Sequence, residues 1–330
     1  MAAESGNSVF DSRPIFRRFL PGGDESRAFL KVSLLNLHLL FPLFSSVTFV
    51  FGMMNARKAI GRGASAWTGT FFGNLWLGLF WMLVGVCRWE VIPVTEWWRA
   101  VVVGLLFFLG QFFTYTAFRF GDVSVATPVF GTKILFVAVL SSFMTGQSIS
   151  TTVWIAAFVA TAGVVLVQSG AGSAGRLDRI RAVITVLMAL SAAFCLSLFD
   201  VCLQSWGTGF GALQFLPVMF VSASLFSCVL LPWTDGVATL RFRQALRPMV
   251  YATVLMALQA LSMTIVLSQF GDATRVNIVY ALRGLWAIVF SWFLAQSFEG
   301  GEQHVHSSVM VRRAVGAILL TGAVVLALLK

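Results

Sequence analysis

Charge is scarce in this sequence. Lys, Arg, Asp and Glu make up 11% of its 330 residues, where a soluble domain carries about a quarter, so an ordinary soluble globular chain is excluded. Cysteine is sparse as well. Cys87, Cys195, Cys202 and Cys228 fall within or at the end of apolar runs with no C-x-x-C spacing, which leaves no metal-binding or redox pair and points to a packing role. There are three histidines, and two of them, His304 and His306, share one polar loop; two imidazoles are half a metal site. The sequence contains no H-E-x-x-H, no G-x-S-x-G and no phosphate-cradling loop for ATP, which argues against a metalloprotease, a serine hydrolase and an ATP-driven pump. "GAGSAG" (170–175) fits G-x-G-x-x-G but joins two apolar runs rather than a strand to a helix, so it reads as a linker. No enzyme, cofactor or metal is expected. Residues 1–32 mix both charge signs and lack an apolar core followed by a small-residue cleavage site, so they read as a polar leader rather than a cleaved signal peptide.

Hydrophobic residues are abundant, at 58%. A membrane-spanning helix needs about 20 of them in succession, and ten runs come near that length: 34–54, 66–87, 100–118, 123–144, 152–168, 182–204, 212–232, 249–269, 274–296 and 312–329. The connections are too short for a separate soluble domain. The fold class predicted is therefore all-α and integral to the membrane, with a lipid bilayer as its surroundings and a multi-pass place in the cell membrane, the inner one if the source is bacterial. The net charge of +10 sits largely in "NARKAIGRG", "RLDRIR" and "RFRQALR". These loops flank spans and suit lipid headgroups, so nucleic acid is not an expected partner.

The chain is written twice. "FGDVSVATPVFGTKILFVAVLSSF" from Phe120 and "FGDATRVNIVYALRGLWAIVFSWF" from Phe270 align at an offset of 150, with Lys133 on Arg283 and Thr127 on Asn277. "FVFGMMNARKAIGRGA" (49–64) aligns with "SLFDVCLQSWGTGFGA" (197–212) at 148, and "TAGVVL" (161–166) with "TGAVVL" (321–326) at 160. Three matches in order predict a first five-helix unit over 33–169, a linker over 170–181 and a second unit over 182–330. Five is odd, so the second unit enters the bilayer from the other side, giving two inverted five-helix repeats. Such repeats characterise secondary transporters with a substrate site near the midplane.

This five-plus-five arrangement, with "GQFFTYTAFRFGDVSVATPVFGTKILFVAVLSSFMTGQSISTTVWIAAFVATAGVVLV" (110–167), resembles the EamA-type members of the drug/metabolite transporter superfamily. The resemblance implies a ten-helix carrier that works by alternating access. It also implies a basic residue in the fourth and ninth helices that grips anions in the phosphate-handling branches, here Lys133 and Arg283. Gln147 stands where members often have a glutamate, and "VYALRGLWAI" departs from the nucleotide-sugar motif.

Lys133 and Arg283 each lie about eleven residues into a run, where a cation costs roughly 2.5–3.5 kcal/mol on insertion scales. Three readings compete: both line a cavity and hold an anionic or zwitterionic substrate, both are neutralised internally, or both snorkel to an interface. Asp200, inside the sixth run and matched by Gly52 in the repeat, is either a counter-ion or a proton-coupling carboxylate. Tyr280 and Trp286 flank Arg283 at helical spacing, and Phe130 stands likewise by Lys133. With Asn277, Thr127, Gln111, Gln259 and His38 they complete the candidate substrate contacts, although Gln111, Gln259 and His38 equally suit helix-to-helix bonding. A proton or an exchanged metabolite would drive transport. The competing function is a proton-coupled exporter of amphipathic or cationic compounds, with both cations structural.

Overall fold

The computed structural model describes residues 38–88, 91–120, 129–146, 149–168, 179–293 and 307–328. The polar leader, most of the expected linker, Thr127 and Gln147 lie outside the described residues. Contacts divide the chain into Met1–His38 and Leu39–Lys330, and the helices belong to the second unit. There is no strand among the described residues.

In chain order the helices are α1 Leu40–Gly61, α2 Ala66–Arg88, α3 Trp97–Phe120, α4 Lys133–Met144, α5 Thr151–Gln168 and α6 Arg179–Cys202. They continue with α7 Ala212–Ser227, α8 Leu246–Phe270, α9 Ala273–Tyr280, α10 Arg283–Phe293 and α11 Ser307–Leu328. A π-helical turn, Leu203–Gly207, prolongs α6, and a 3-10 turn, Cys228–Trp233, prolongs α7. Among the described residues, six stretches are long and apolar enough to cross a membrane: Ala66–Arg88, Val94–Ala117, Ile180–Phe210, Ala212–Trp233, Leu246–Phe270 and Val311–Leu328. Lys133–Met144 and Thr151–Val167 are apolar but shorter.

Boundaries differ from the sequence expectation in several places, among them the run 123–144, which is interrupted at Gly131 and Thr132 before α4. The first helix is displaced from 34–54 to Leu40–Gly61, because exposed Arg57 and Lys58 ride its last turns and Asn55 bonds back to the Phe51 carbonyl at 2.9 Å. α6 begins at Arg179, inside the expected linker. The run 274–296 is two helices, α9 and α10, separated at Ala281 and Leu282.

α1 lies along α8 and α3 along α6, while α2 packs on α7 and α5 on α11. Lipid is as apolar as leucine, so such contacts rest on close packing and interhelical hydrogen bonds. A Cβ at Gly104 would stand 2.5 Å from the Met219 carbonyl oxygen, and one at Gly316 would stand 2.7 Å from the Val167 nitrogen. Ser45 and Ser262 donate across the α1–α8 contact to the carbonyls of Gln259 (3.2 Å) and Phe41 (3.1 Å). Gly271, left-handed at φ +66, ends α8, and the Asp272 side chain caps α9 by accepting from the Arg275 N–H at 3.4 Å, so the chain reverses within two residues.

The buried apolar side chains form two main clusters. One draws on α1–α3 and α6–α9, the other chiefly on α4, α5, α9 and α11. α4 supplies Val137 to the first and Ile134 to the second, and α9 supplies Val279 and Ile278 in the same way. These two helices run down the seam, and the half-buried cations Lys133 and Arg283 lie there.

Candidate substrate site

Lys133 and Arg283 open their helices alike. Each is the first residue after a tight turn, Gly131–Thr132 before α4 and Ala281–Leu282 before α10. In each turn a backbone N–H reaches back three residues, Thr132 to the Val129 carbonyl and Leu282 to the Val279 carbonyl, both at 3.1 Å. The tightening interrupts the regular helical ladder.

What the two cations meet is different. The Lys133 ammonium stands 2.7 Å from Asp200 Oδ2, with side-chain exposures of 14% and 3%. The same oxygen accepts from Asn277 Nδ2 at 2.7 Å, and Asn277 also donates to the Ala273 carbonyl at 2.9 Å. One turn earlier on α6, the Ser197 hydroxyl lies 3.0 Å from the Lys133 carbonyl oxygen, so α6 holds the start of α4 through both side chain and backbone. One turn later, Gln204 in the π-helical turn accepts the Ala273 N–H at 3.0 Å. Asp200 and Gln204, four apart on α6, therefore clasp Asn277 and Ala273, four apart on α9. Removing either member of a buried pair leaves an uncompensated charge costing about 3–5 kcal/mol. Lys133 is thus neutralised inside the protein.

Arg283 has no carboxylate within ion-pair distance among the described residues. Its guanidinium lies against two rings instead, 4.5 Å from the Tyr280 centroid and 4.9 Å from that of Phe49. Such a cation is stabilised by ring quadrupoles while, among the described residues, part of its hydrogen-bonding edge stays uncommitted. Both cations line one small cavity with Asn277, Tyr280 and Phe130. Its volume of about 20 Å³ suffices for one water molecule, so this conformation is closed around the cations.

Of the sequence candidates, Lys133, Arg283, Asp200, Asn277, Tyr280 and Phe130 come together here, and Thr127 lies outside the described residues. Trp286 sits one turn past Arg283, stacked on Phe290 with centroids 5.9 Å apart, and does not line the cavity. Gln111 belongs elsewhere: it donates to Asn74 at 3.1 Å, and Asn74 donates to Ser227 at 2.6 Å, tying α3, α2 and α7 together. Gln259 is half-buried on α8, its carbonyl taken by Ser45. His38 occupies the turn ahead of α1. Sequence reasoning missed Phe49, Ser197, Gln204, Ile134 and Val164. A signal existed for two of them, because Ser197, Asp200 and Gln204 form one polar stripe on an apolar helix. None existed for Phe49, one phenylalanine among 32.

Residues 36–169 match the sequence profile of the EamA-like transporter family. No curated protein matches the chain. Among solved structures 29 chains match; one crystal structure superposes with a TM-score of 0.64 at 17% identity, covering 88% of this chain and 96% of the other. At that identity the likeness is one of fold.

Proposed function

Through residues 36–169 the chain belongs to the EamA-like transporter family of the drug/metabolite transporter superfamily, and we propose that this membrane transporter is a secondary carrier of a small anionic or zwitterionic metabolite in the cell membrane. The observation that carries the reading is Arg283: a guanidinium without a carboxylate partner among the described residues, on the wall of a cavity at the seam of the molecule. Lys133 reaches the same cavity, and Asp200 is the candidate coupling carboxylate. In this reading the gradient of a proton or of an exchanged metabolite drives transport.

Alternating access between two inverted five-helix halves fits several features. Exchanging the halves turns the α1–α8 contact into the α6–α3 contact and maps the α2–α7 and α5–α11 contacts onto themselves. The interrupted helices lie at the same offset of 150, a feature of carriers that bind at the midplane. Phe49 meets Arg283 as Ser197 meets Lys133, and Phe49 and Ser197 are the partners at the offset of 148. A closed cavity with room for one water also requires these walls to part before a metabolite enters.

The competing exporter of amphipathic or cationic compounds draws on one observation, the internal neutralisation of Lys133. A thermal-shift screen of the purified chain separates the two, using phosphorylated sugars, nucleotides, amino acids, organic acids and lipophilic cations on wild type, Lys133→Ala and Arg283→Ala. The expected result is stabilisation by an anion or zwitterion that is lost in a still-folded Arg283→Ala. A charged hydrogen bond contributes about 1.5–3 kcal/mol, so its affinity should fall roughly ten- to a hundredfold. Stabilisation of all three proteins by lipophilic cations, with none by anions, would transfer the assignment to the exporter.

A further inference from the structure

We infer that the site selects a ligand with one net negative charge and an apolar body, an amphipathic monocarboxylate rather than a phosphate ester. The inference rests on the carrier reading above and concerns only the charge its site accepts. Among the described residues, these matched positions hold two cations and one acid: α4 carries Lys133 and α10 carries Arg283, while α6 carries Asp200 and α1 has Gly52 at the matching position. Asp200 is bound to Lys133 at 2.7 Å, so Lys133, Asp200 and Arg283 sum to a single positive charge. The nearby pair Arg275 and Asp272, 3.5 Å apart, adds nothing to that sum.

A carboxylate on the open edge of Arg283 brings the sum to zero. A second negative charge on the ligand would have to take Lys133 from Asp200, leaving a buried carboxylate without its cation. Otherwise it would stay uncompensated in a low-dielectric interior, where repulsion from Asp200 is strong. The rest of the wall offers no further positive charge, because Asn277 and Tyr280 are neutral and Phe130, Ile134, Val164 and Ala281 are apolar. Those four apolar side chains suit a hydrocarbon body.

The test uses the full chain in detergent and four compounds built on one phenyl group: 3-phenylpropionate, phenylalanine, phenyl phosphate and phenethylamine. Affinities are read from the concentration dependence of thermal stabilisation, at about pH 8, where a phosphate monoester is a dianion. In wild type, 3-phenylpropionate should bind at least about tenfold more tightly than phenyl phosphate, a difference of about 1.4 kcal/mol. Asp200→Asn raises the sum to two and should reverse that order, and Lys133→Gln combined with Asp200→Asn returns it to one and should restore it. Phenyl phosphate binding wild type as tightly as 3-phenylpropionate overturns the inference, as does an unchanged order in a folded Asp200→Asn. Tighter binding of phenylalanine overturns the single-charge rule but leaves the carrier reading standing. If no anion or zwitterion binds, or phenethylamine binds best, the carrier reading fails and the inference with it. The wild-type order decides the matter even if a variant does not fold.

Discussion

Lys133 and Arg283 occupy matching positions, yet truncating them should have unequal consequences. Lys133→Ala strands Asp200, a carboxylate exposed by only 3%, and should lower stability by about 3–5 kcal/mol. Lys133→Gln combined with Asp200→Asn leaves two neutral groups that still hydrogen-bond, and should recover most of that loss. Arg283→Ala leaves no acid unpaired among the described residues and should cost much less. Thermal denaturation of the four proteins checks this, and a Lys133→Ala variant as stable as Arg283→Ala would refute it. The sequence made these residues visible because a charge inside an apolar run is costly wherever its partner lies. It offered Asp200 as a counter-ion without showing which cation that carboxylate meets or that Asn277 joins it. Asp200 and Asn277 are 77 residues apart, and helical spacing identifies a face without naming the opposing helix. The same ambiguity drew in Gln111, whose side chain bonds Asn74, and Gln259, whose backbone carbonyl accepts from Ser45.

Helix contacts add a constraint that hydropathy does not carry. α5 and α11 approach until a Cβ on Gly316 would press on backbone, 2.7 Å from the Val167 nitrogen and 2.8 Å from the Gly163 oxygen. Backbone cannot rotate away as a side chain does, so Gly316→Ala should part the helices and cost about 1–3 kcal/mol. Gly322, on the same helix with no atom within 4 Å of a Cβ, is the control; Gly322→Ala should change stability by no more than about 0.5 kcal/mol. Equal melting temperatures for the two variants would show that the close approach is not needed. The apolar runs were legible because composition alone reports them. The interruption at Ala281–Leu282 was not, since it contains neither glycine nor proline and its hydrophobicity is continuous with its flanks. Gly131, in the matching turn of the first half, was the one residue there with a local signal.

The two ends of the helix assembly are fastened by different forces. At one end the α1–α2 loop meets the α7–α8 connection through Asp235, which accepts from the Ser65 N–H at 2.5 Å and the Thr68 hydroxyl at 3.3 Å. Its own N–H donates to Thr68 Oγ1 at 2.8 Å, so one connection caps the helix that follows the other. Arg243 pairs with Asp235 at 3.4 Å and donates to the Gly63 carbonyl, and Arg62 donates to that of Gln244 at 2.6 Å. The matching contact at the other end joins the α2–α3 connection to the start of α7. It rests on a backbone bond from Ile92 to Gln214 at 3.3 Å, with the Trp98 and Trp206 rings 5.5 Å apart nearby. If the halves move as a carrier's do, the polar clasp is a bond that must break for the cavity to open toward its own side. Asp235→Ala removes a helix cap, about 0.5–2 kcal/mol, and an exposed ion pair, about 0.2–1 kcal/mol, so it should raise the population open to that side roughly three- to a hundredfold. The readout is Ile134→Cys on the cavity wall, in a chain whose four native cysteines are replaced, labelled by a membrane-impermeant maleimide applied separately to each side of sealed vesicles. Asp235→Ala should speed labelling from the clasp's own side and slow it from the other. Equal acceleration from both sides would mean general loosening, and no change would make the clasp a fixed joint within one moving body rather than a gate between two.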